Sequence, residues 1–172
     1  MSGKVKLAVT GLGASMAMFV AMIASEGWSE RAIVPVANDK LTIGFGTTVY
    51  PDGSPVKRSD TITPQRAVAV AAAHVTKDEA AFKASLPGAL LTQGEYDLYL
   101  DFSYQYGQGN WRSSSMRRHI LAGDHSAACN ALLAWRFQAG RDCAKPENWG
   151  PRGCKGVWTR QQERHAKCLA EQ

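Results

Sequence analysis

Glu26 is the first acidic residue of the chain, and it follows nineteen uncharged positions, residues 7–25. Gly27 comes directly after it. Sixteen positions beyond the Glu, Thr42 opens the run T-I-G-F-G, with Asp39 three residues before it. A Glu at the end of an apolar helix, opposite a hairpin with a hydroxyl and a carboxylate, has the parts needed to break a glycosidic bond. That chemistry takes a proton donor for the leaving oxygen, and a second group that guides water or forms a covalent intermediate. A donor carboxyl must hold its proton near neutral pH, which a partly apolar pocket achieves by disfavouring the charged form. Gly44 and Gly46 either serve the hairpin's geometry or let a sugar chain come close to the backbone. Each residue also has a plainer role: Glu26 as a solvated boundary, Asp39 as an ordinary turn acid, Thr42 as a β-branched strand residue.

The surrounding elements must place these groups. Residues 32–36 favour β structure, Asn38-Asp39-Lys40 reads as a turn, and residues 41–50 are strand-like. Pro51-Asp52-Gly53 is a further turn before a short strand at residues 55–57. From Thr63-Pro64, an N-cap followed by Pro at the first helical position, the chain is helical. Val68, Ala71, Ala72, Val75, Glu79, Phe82 and Leu86 then form one face, interrupted only by Glu79. Thr92-Gln93-Gly94-Glu95 is a capping box for a helix with Tyr96, Tyr99, Leu100 and Ser103 on one side. Residues 113–115 cap a helix carrying Met116, Ile120 and Leu121, and Gly123-Asp124 opens another holding Ala127, Ala128, Ala131, Leu132 and Trp135. Residues 141–155 are a loop, and a last helix starts at Thr159. A small hairpin sheet followed by helices is an α+β arrangement. Trp111, Trp135 and Trp158 are expected in the core, Arg136 and Arg160 on solvated helix faces. His74, His119, His125 and His165 have no metal-ligand spacing and are expected to be structural or surface residues.

The chain has 172 residues, 45% of them hydrophobic, which suits one domain, with or without an appendage, and a real core. Twenty Lys and Arg against fifteen Asp and Glu give a net charge of +5. The excess favours nucleic acid, anionic lipid or an anionic wall polymer. With no basic run longer than two residues, nucleic acid is the weakest of these. Lys4 and Lys6 precede the uncharged stretch, which as a helix would be about 28 Å long, just short of a roughly 30 Å hydrocarbon core. Three readings compete: a cleaved signal peptide, a permanent anchor facing outward, and a buried helix of the domain. Cys129, Cys143, Cys154 and Cys168 have no C-x-x-C spacing, so an exported chain with two disulfides is expected rather than a zinc site. The preferred pairing is Cys143 with Cys154 and Cys129 with Cys168; the other two pairings remain open.

In order along the chain, these residues resemble the phage-type lysozymes, glycoside hydrolase family 24. S-E-G before T-I-G-F-G is similar to that family's helix-end Glu-Gly and its T-I-G-Y-G hairpin. Leu91-Thr92-Gln93 to Phe102, and Gly109-Asn110-Trp111, are similar to its next helix and G-x-G-N-F segment. Gly123-Asp124, Ala127-Ala128 and Leu133-Ala134-Trp135 match a further helix, and residues 156–164 resemble its G-L-x-x-R-R-x-x-E ending. The resemblance covers about residues 20–169. It implies that Glu26 is the general acid and that Thr42 helps to hold the attacking water. The family's second carboxylate, nine residues after the Glu, is Pro35 here, and the Glu-to-Thr spacing is one residue longer than usual. Asp39 is nominated in its place. A Glu30 and Asp39 pair has the nominal spacing, but Arg follows Glu30 and Thr42 is then only twelve residues away.

The resemblance further implies an endolysin that hydrolyses the bond between N-acetylmuramic acid and N-acetylglucosamine in peptidoglycan, without cofactor or metal, as a monomer. Residues 1–25 are similar to a signal-anchor-release segment that holds the protein at the inner membrane before release to the periplasm. Residues 26–172 form the catalytic domain, with the second half of the segment doubling as its first helix. On release, Phe19, Met22 and Ile23 are expected to pack into the domain. Two other classes are a lytic transglycosylase using Glu26 alone and an inactive, membrane-tethered wall-binding module.

Overall fold

The computed structural model describes residues 4–25, 27–35 and 39–172. The chain forms two compact units, one of residues 14–81 and one of residues 1–13 with 82–172. The smaller is a hairpin unit and the larger a helical unit.

The hairpin unit opens with α1, Met16–Ser25. The Ser15 hydroxyl accepts from the Met18 amide at 3.0 Å and starts the helix. Met18 and Met22, one turn apart, are its buried face. Strands β2, Ser29–Ile33, and β3, Thr42–Gly44, pair antiparallel, with Ser29 opposite Gly44 and Ile33 opposite Thr42. Residues 60–62 run along the other edge of β2: Ala32 donates to the Asp60 carbonyl and Ile62 to the Glu30 carbonyl. Helix α2, Pro64–Ala84, then begins at Thr63, whose hydroxyl accepts from the Arg66 amide at 3.3 Å. Ile43, Val56, Ile62, Ala67 and Val70 form the unit's core.

The helical unit contains β1, Leu7–Ala8, paired antiparallel with β4, Leu90–Leu91. Helix α3, Gln93–Tyr106, carries the complete Thr92 and Glu95 capping box. Short helices α4, Gln108–Ser113, α5, Ser115–Leu121, and α6, His125–Ala131, follow. Ser114 and Asp124 cap the latter two by accepting from the Arg117 and Ala127 amides. Strands β5, Phe137–Gln138, and β6, Arg141–Asp142, form a hairpin before α7, Lys155–Leu169. The core is aromatic: Trp111 is fully buried among Phe82, Tyr99 and Phe102, and its indole donates to Ser85 at 2.8 Å. Disulfides join Cys129 to Cys168, tying α6 to α7, and Cys143 to Cys154.

Five expectations from the sequence need correction. The uncharged stretch 7–25 is not one helix. It is a strand, a single 3-10 turn at Val9–Gly11, and a ten-residue helix after Gly13 and Ser15. Among the described residues no helix is long and apolar enough to cross a membrane. Residues 41–50 are strand only at Thr42–Gly44, because Gly44 (φ 63°) and Gly46 (φ 81°) turn the chain back and pair Ile43 with Thr47. The buried stripe of α2 runs through Ala67, Val70, Ala71 and Val75 and leaves Val68 over a third exposed, since small alanines let the helix sit close on that side. Helix α7 starts at Lys155, four residues before Thr159, where the Val157 amide already bonds back to the Cys154 carbonyl. Of the three tryptophans expected inside, only Trp111 is fully buried; Trp135 and Trp158 are half-buried.

Candidate active site

Thr42, Asp39, Gly44, Gly46 and Glu30 all belong to the hairpin unit. Glu26, the expected acid, lies outside the described residues; α1 ends immediately before it and β2 begins three positions after it. Thr42 opens β3 half-buried. Its hydroxyl donates a long hydrogen bond, 3.5 Å, to the Ile33 carbonyl across the strand pair. A hydroxyl that gives its proton to the backbone keeps two lone pairs for a water's hydrogens. Asp39 is exposed, and its carboxylate accepts from the Lys40 amide at 2.8 Å. Glu30 stands exposed in β2, and Pro35 is exposed just beyond that strand.

The turn after Thr42 is tightly constrained. The Ile43 and Thr47 amides and carbonyls exchange bonds of 2.9 and 3.0 Å around Gly44-Phe45-Gly46. A Cβ on Gly44 would stand 2.9 Å from the Ala67 Cβ of α2. The bare backbone at Gly44 therefore lets the hairpin lie close on α2. Phe45, at the tip, packs on Trp28 with ring centroids 5.2 Å apart, and Trp28 keeps nearly half its surface exposed. Sequence reading passed over this aromatic pair. The available signal was a Trp two positions after Glu26, too short a motif to be read without the register of β2.

The electrostatics of the unit are modest. Tyr50 donates to the Asp60 carboxylate at 3.1 Å, and burial followed by that bond pushes its phenol above the usual value. The Lys57 amide also donates to Asp60, so this acid fixes the loop that flanks β2. Burial raises the Asp78 carboxyl on α2, with the His74 and Lys77 charges pulling the other way. Among the described residues no cluster of His, Cys, Asp or Glu could hold a metal ion.

In the helical unit the structure adds a buried polar group that the sequence did not flag. Glu95 is fully buried, and beyond its cap bond to the Thr92 amide it meets the His125 ring at 2.9 Å and the Gln172 amide at 2.8 Å. The Lys6 ammonium lies 3.8 Å away. Lys4 pairs with Glu171, whose other oxygen accepts from the Thr92 hydroxyl at 2.7 Å. His125 is thus a structural histidine.

A unit with a small antiparallel hairpin and a second, helical unit are the components of the lysozyme fold, and solved structures agree. The endolysin of the Escherichia coli phage FAHEc1 superposes with a TM-score of 0.73 at 24% identity, covering 92% of this chain and 94% of that one. P22 lysozyme gives 0.70 at 23% identity, covering 92% and 99%. At such identities these likenesses establish the fold. Residues 24–147 match the phage lysozyme family, so the chain belongs to that family of glycoside hydrolases. A SAR-endolysin of Enterobacteria phage PA-2 is 34% identical over 68 residues, which are 40% of this chain. The matched part is only 34% of that relative's length.

Proposed function

We propose that the protein is an endolysin that hydrolyses the bond between N-acetylmuramic acid and N-acetylglucosamine in bacterial peptidoglycan. The observation that carries this is the family match across residues 24–147, which includes Glu26 and the hairpin that presents Thr42. Glu26 protonates the glycosidic oxygen as the bond breaks. Thr42 holds the attacking water through its free lone pairs, and Asp39, in the same hairpin segment, draws the water's proton or balances the charge of the oxocarbenium-like transition state. Gly46, exposed in the turn, leaves backbone open to the sugar chain, whereas Gly44 is buried against α2 and serves the hairpin's packing; the exposed Trp28 offers a sugar ring an apolar face. No cofactor is required, and the protein acts as a monomer.

Residues 1–25 serve as a signal-anchor-release segment, which places the protein first in the inner membrane and then in the periplasm. Support comes from the uncharged run behind Lys4 and Lys6 and from similarity to proteins named SAR-endolysin. Ten of the nineteen residues are Ala, Gly, Ser or Thr, so insertion is only weakly favourable. Once out of the bilayer, the same residues have a place in the fold: Val9 and Leu12 are buried in the helical unit, Met18 and Met22 in the hairpin unit. Phe19 and Ile23, also expected to pack, are half-buried. Replacing Gly11 and Gly13 with Leu should hold the protein in the membrane fraction and block lysis. A soluble wild type lacking residues 1–24 before the membrane is de-energised would instead identify a cleaved signal peptide.

Pro35, at the position of the family's second carboxylate, favours one other reading, a lytic transglycosylase that needs Glu26 alone. Mass analysis of fragments released from purified peptidoglycan separates the two. Hydrolysis leaves a reducing N-acetylmuramic acid end; an anhydro end would overturn the hydrolase reading.

A further inference from the structure

The disulfide loop of the helical unit is built as a pocket that the glycosidase chemistry does not use. It begins at the β5–β6 hairpin, whose two turn residues, Ala139 (φ 49°) and Gly140 (φ 76°), both have the positive φ of a tight primed turn. The Cys143–Cys154 bond closes the segment beyond it. Inside, the Trp149 indole donates to the Cys143 carbonyl at 2.9 Å and the Asn148 side chain donates to the Asp142 carbonyl at 2.9 Å. The Cys154 amide donates to the Asn148 carbonyl at 2.8 Å. A Cβ on Gly153 would lie 2.4 Å from the Asn148 carbonyl oxygen, so the chain is packed against itself there. Every turn of the loop is thus tied down.

What this framework encloses is an open cavity of about 390 Å³ lined by Arg141, Arg152, Glu147, Trp149 and Pro151, among others. Arg141 donates to the Arg152 carbonyl at 3.2 Å through one nitrogen and keeps its other donors. Among the described residues, neither guanidinium and not Glu147 enters an ion pair. Trp149 is 37% exposed, with the Lys155 ammonium 4.8 Å from its ring centre. Two guanidiniums converging on one concavity suit a carboxylate, which each can grip with paired N–H donors. An aromatic ring beside them suits the apolar part of a short peptide, and the single carboxylate suits an amine. The concave shape, with its charges and one aromatic ring within a single cavity, fits the end of one chain better than a plane of lipid headgroups.

We propose that this pocket binds the carboxylate-bearing peptide stems of the cell wall, with Arg141 and Arg152 on a stem carboxylate and Glu147 on a stem amine. The inference rests on peptidoglycan being the substrate. Stems project from the same glycan strands that the hairpin unit's site would cut, so this contact would hold the enzyme on stem-bearing wall.

The test is titration of the full-length chain with muramyl tetrapeptide, followed by Trp fluorescence, for wild type and Arg152→Ala. Arg152 makes no side-chain bond that the loop depends on, so the variant keeps the pocket's frame. Affinity should fall about tenfold or more, with Arg152→Lys in between because it keeps the charge and loses the fork. A second measurement compares rates on intact walls and on glycan strands stripped of stems by an amidase. The ratio of intact to stripped rate at low substrate should drop by a similar factor in Arg152→Ala. Equal tetrapeptide affinity in wild type and variant would overturn the proposal. So would an unchanged rate ratio, or a loss confined to binding of phosphatidylglycerol vesicles. The titration needs no turnover, so an inactive enzyme that still binds tetrapeptide through Arg152 would refute the hydrolase reading and leave the pocket standing.

Discussion

Gly44→Ala should damage the hairpin that carries Thr42, and the size of the effect can be worked out. Gly44 has φ 63°, in the left-handed region, and an L-residue held there costs about 1–2 kcal/mol. The new methyl would also press on the Ala67 Cβ at 2.9 Å and lie 3.7 Å from the Ile62 side chain. Ala67 is 1% exposed on α2 and cannot rotate away, so the strand or the helix must move, at about 1–3 kcal/mol for overpacking of this kind. Together the loss is about 2–5 kcal/mol. In urea, with a slope of about 2 kcal/mol/M, the unfolding midpoint should fall by about 1 M or more. Gly46→Ala is the internal control for backbone strain, since Gly46 also has positive φ (81°) and should cost about 1–2 kcal/mol on that ground alone. A midpoint shift under about 0.25 M for Gly44→Ala, or equal shifts for both variants, would refute the packing argument.

Three other outcomes follow from the same structure. Asp39→Asn should slow wall hydrolysis more than Glu30→Gln, since Asp39 shares the β3 approach with Thr42; the reverse order, in matched rate measurements, would move the second carboxylate into β2. Burial pushes the Glu171 carboxyl up, but the hydrogen bonds from Lys4 and the Thr92 hydroxyl and the Lys4 charge outweigh it and hold the group below its ordinary 4.5. Its contribution is therefore present above pH 4.5 and lost as pH falls through the lower folded value, so the protection factors of amides in residues 4–13, taken relative to intrinsic exchange at each pH, should fall on acidification and, in Glu171→Gln, already at pH 7. Intact mass should show two disulfides and no alkylatable thiol. Removing Cys129–Cys168, which closes 39 residues, should cost about 4 kcal/mol in unfolding measurements, against about 3 for Cys143–Cys154, which closes 11.

The sequence made the helix starts legible, because local chemistry fixes the backbone there. The Thr92 to Glu95 capping box, the Asp124 cap and the Thr63-Pro64 start are all where their side chains require them. The preferred cysteine pairing is the one present, because the polar loop and the two helix faces leave those thiols nearest each other. Lost to sequence reading were features that depend on contacts between distant segments. Nothing local in residues 7–13 specifies a strand: Leu7 and Ala8 extend because β4 offers its edge, and the Val9 amide finds the Ala89 carbonyl at 3.1 Å. Glu95 could be read as a cap residue, yet not as the buried partner of His125 and Gln172, which lie 30 and 77 positions away. Around the candidate site, Thr42 and the glycines were visible through their motif, whereas Trp28 gained meaning only once β2 brought it against Phe45.

The central claim is that Glu26 supplies the proton that breaks the glycan, and Glu26→Gln tests it most directly. The substitution keeps the side chain's size and removes the acid. Hydrolysis of purified peptidoglycan, followed by release of soluble muropeptides, should fall about a hundredfold to ten-thousandfold, with the unfolding midpoint unchanged. Turnover within a few-fold of wild type in that variant would contradict the account.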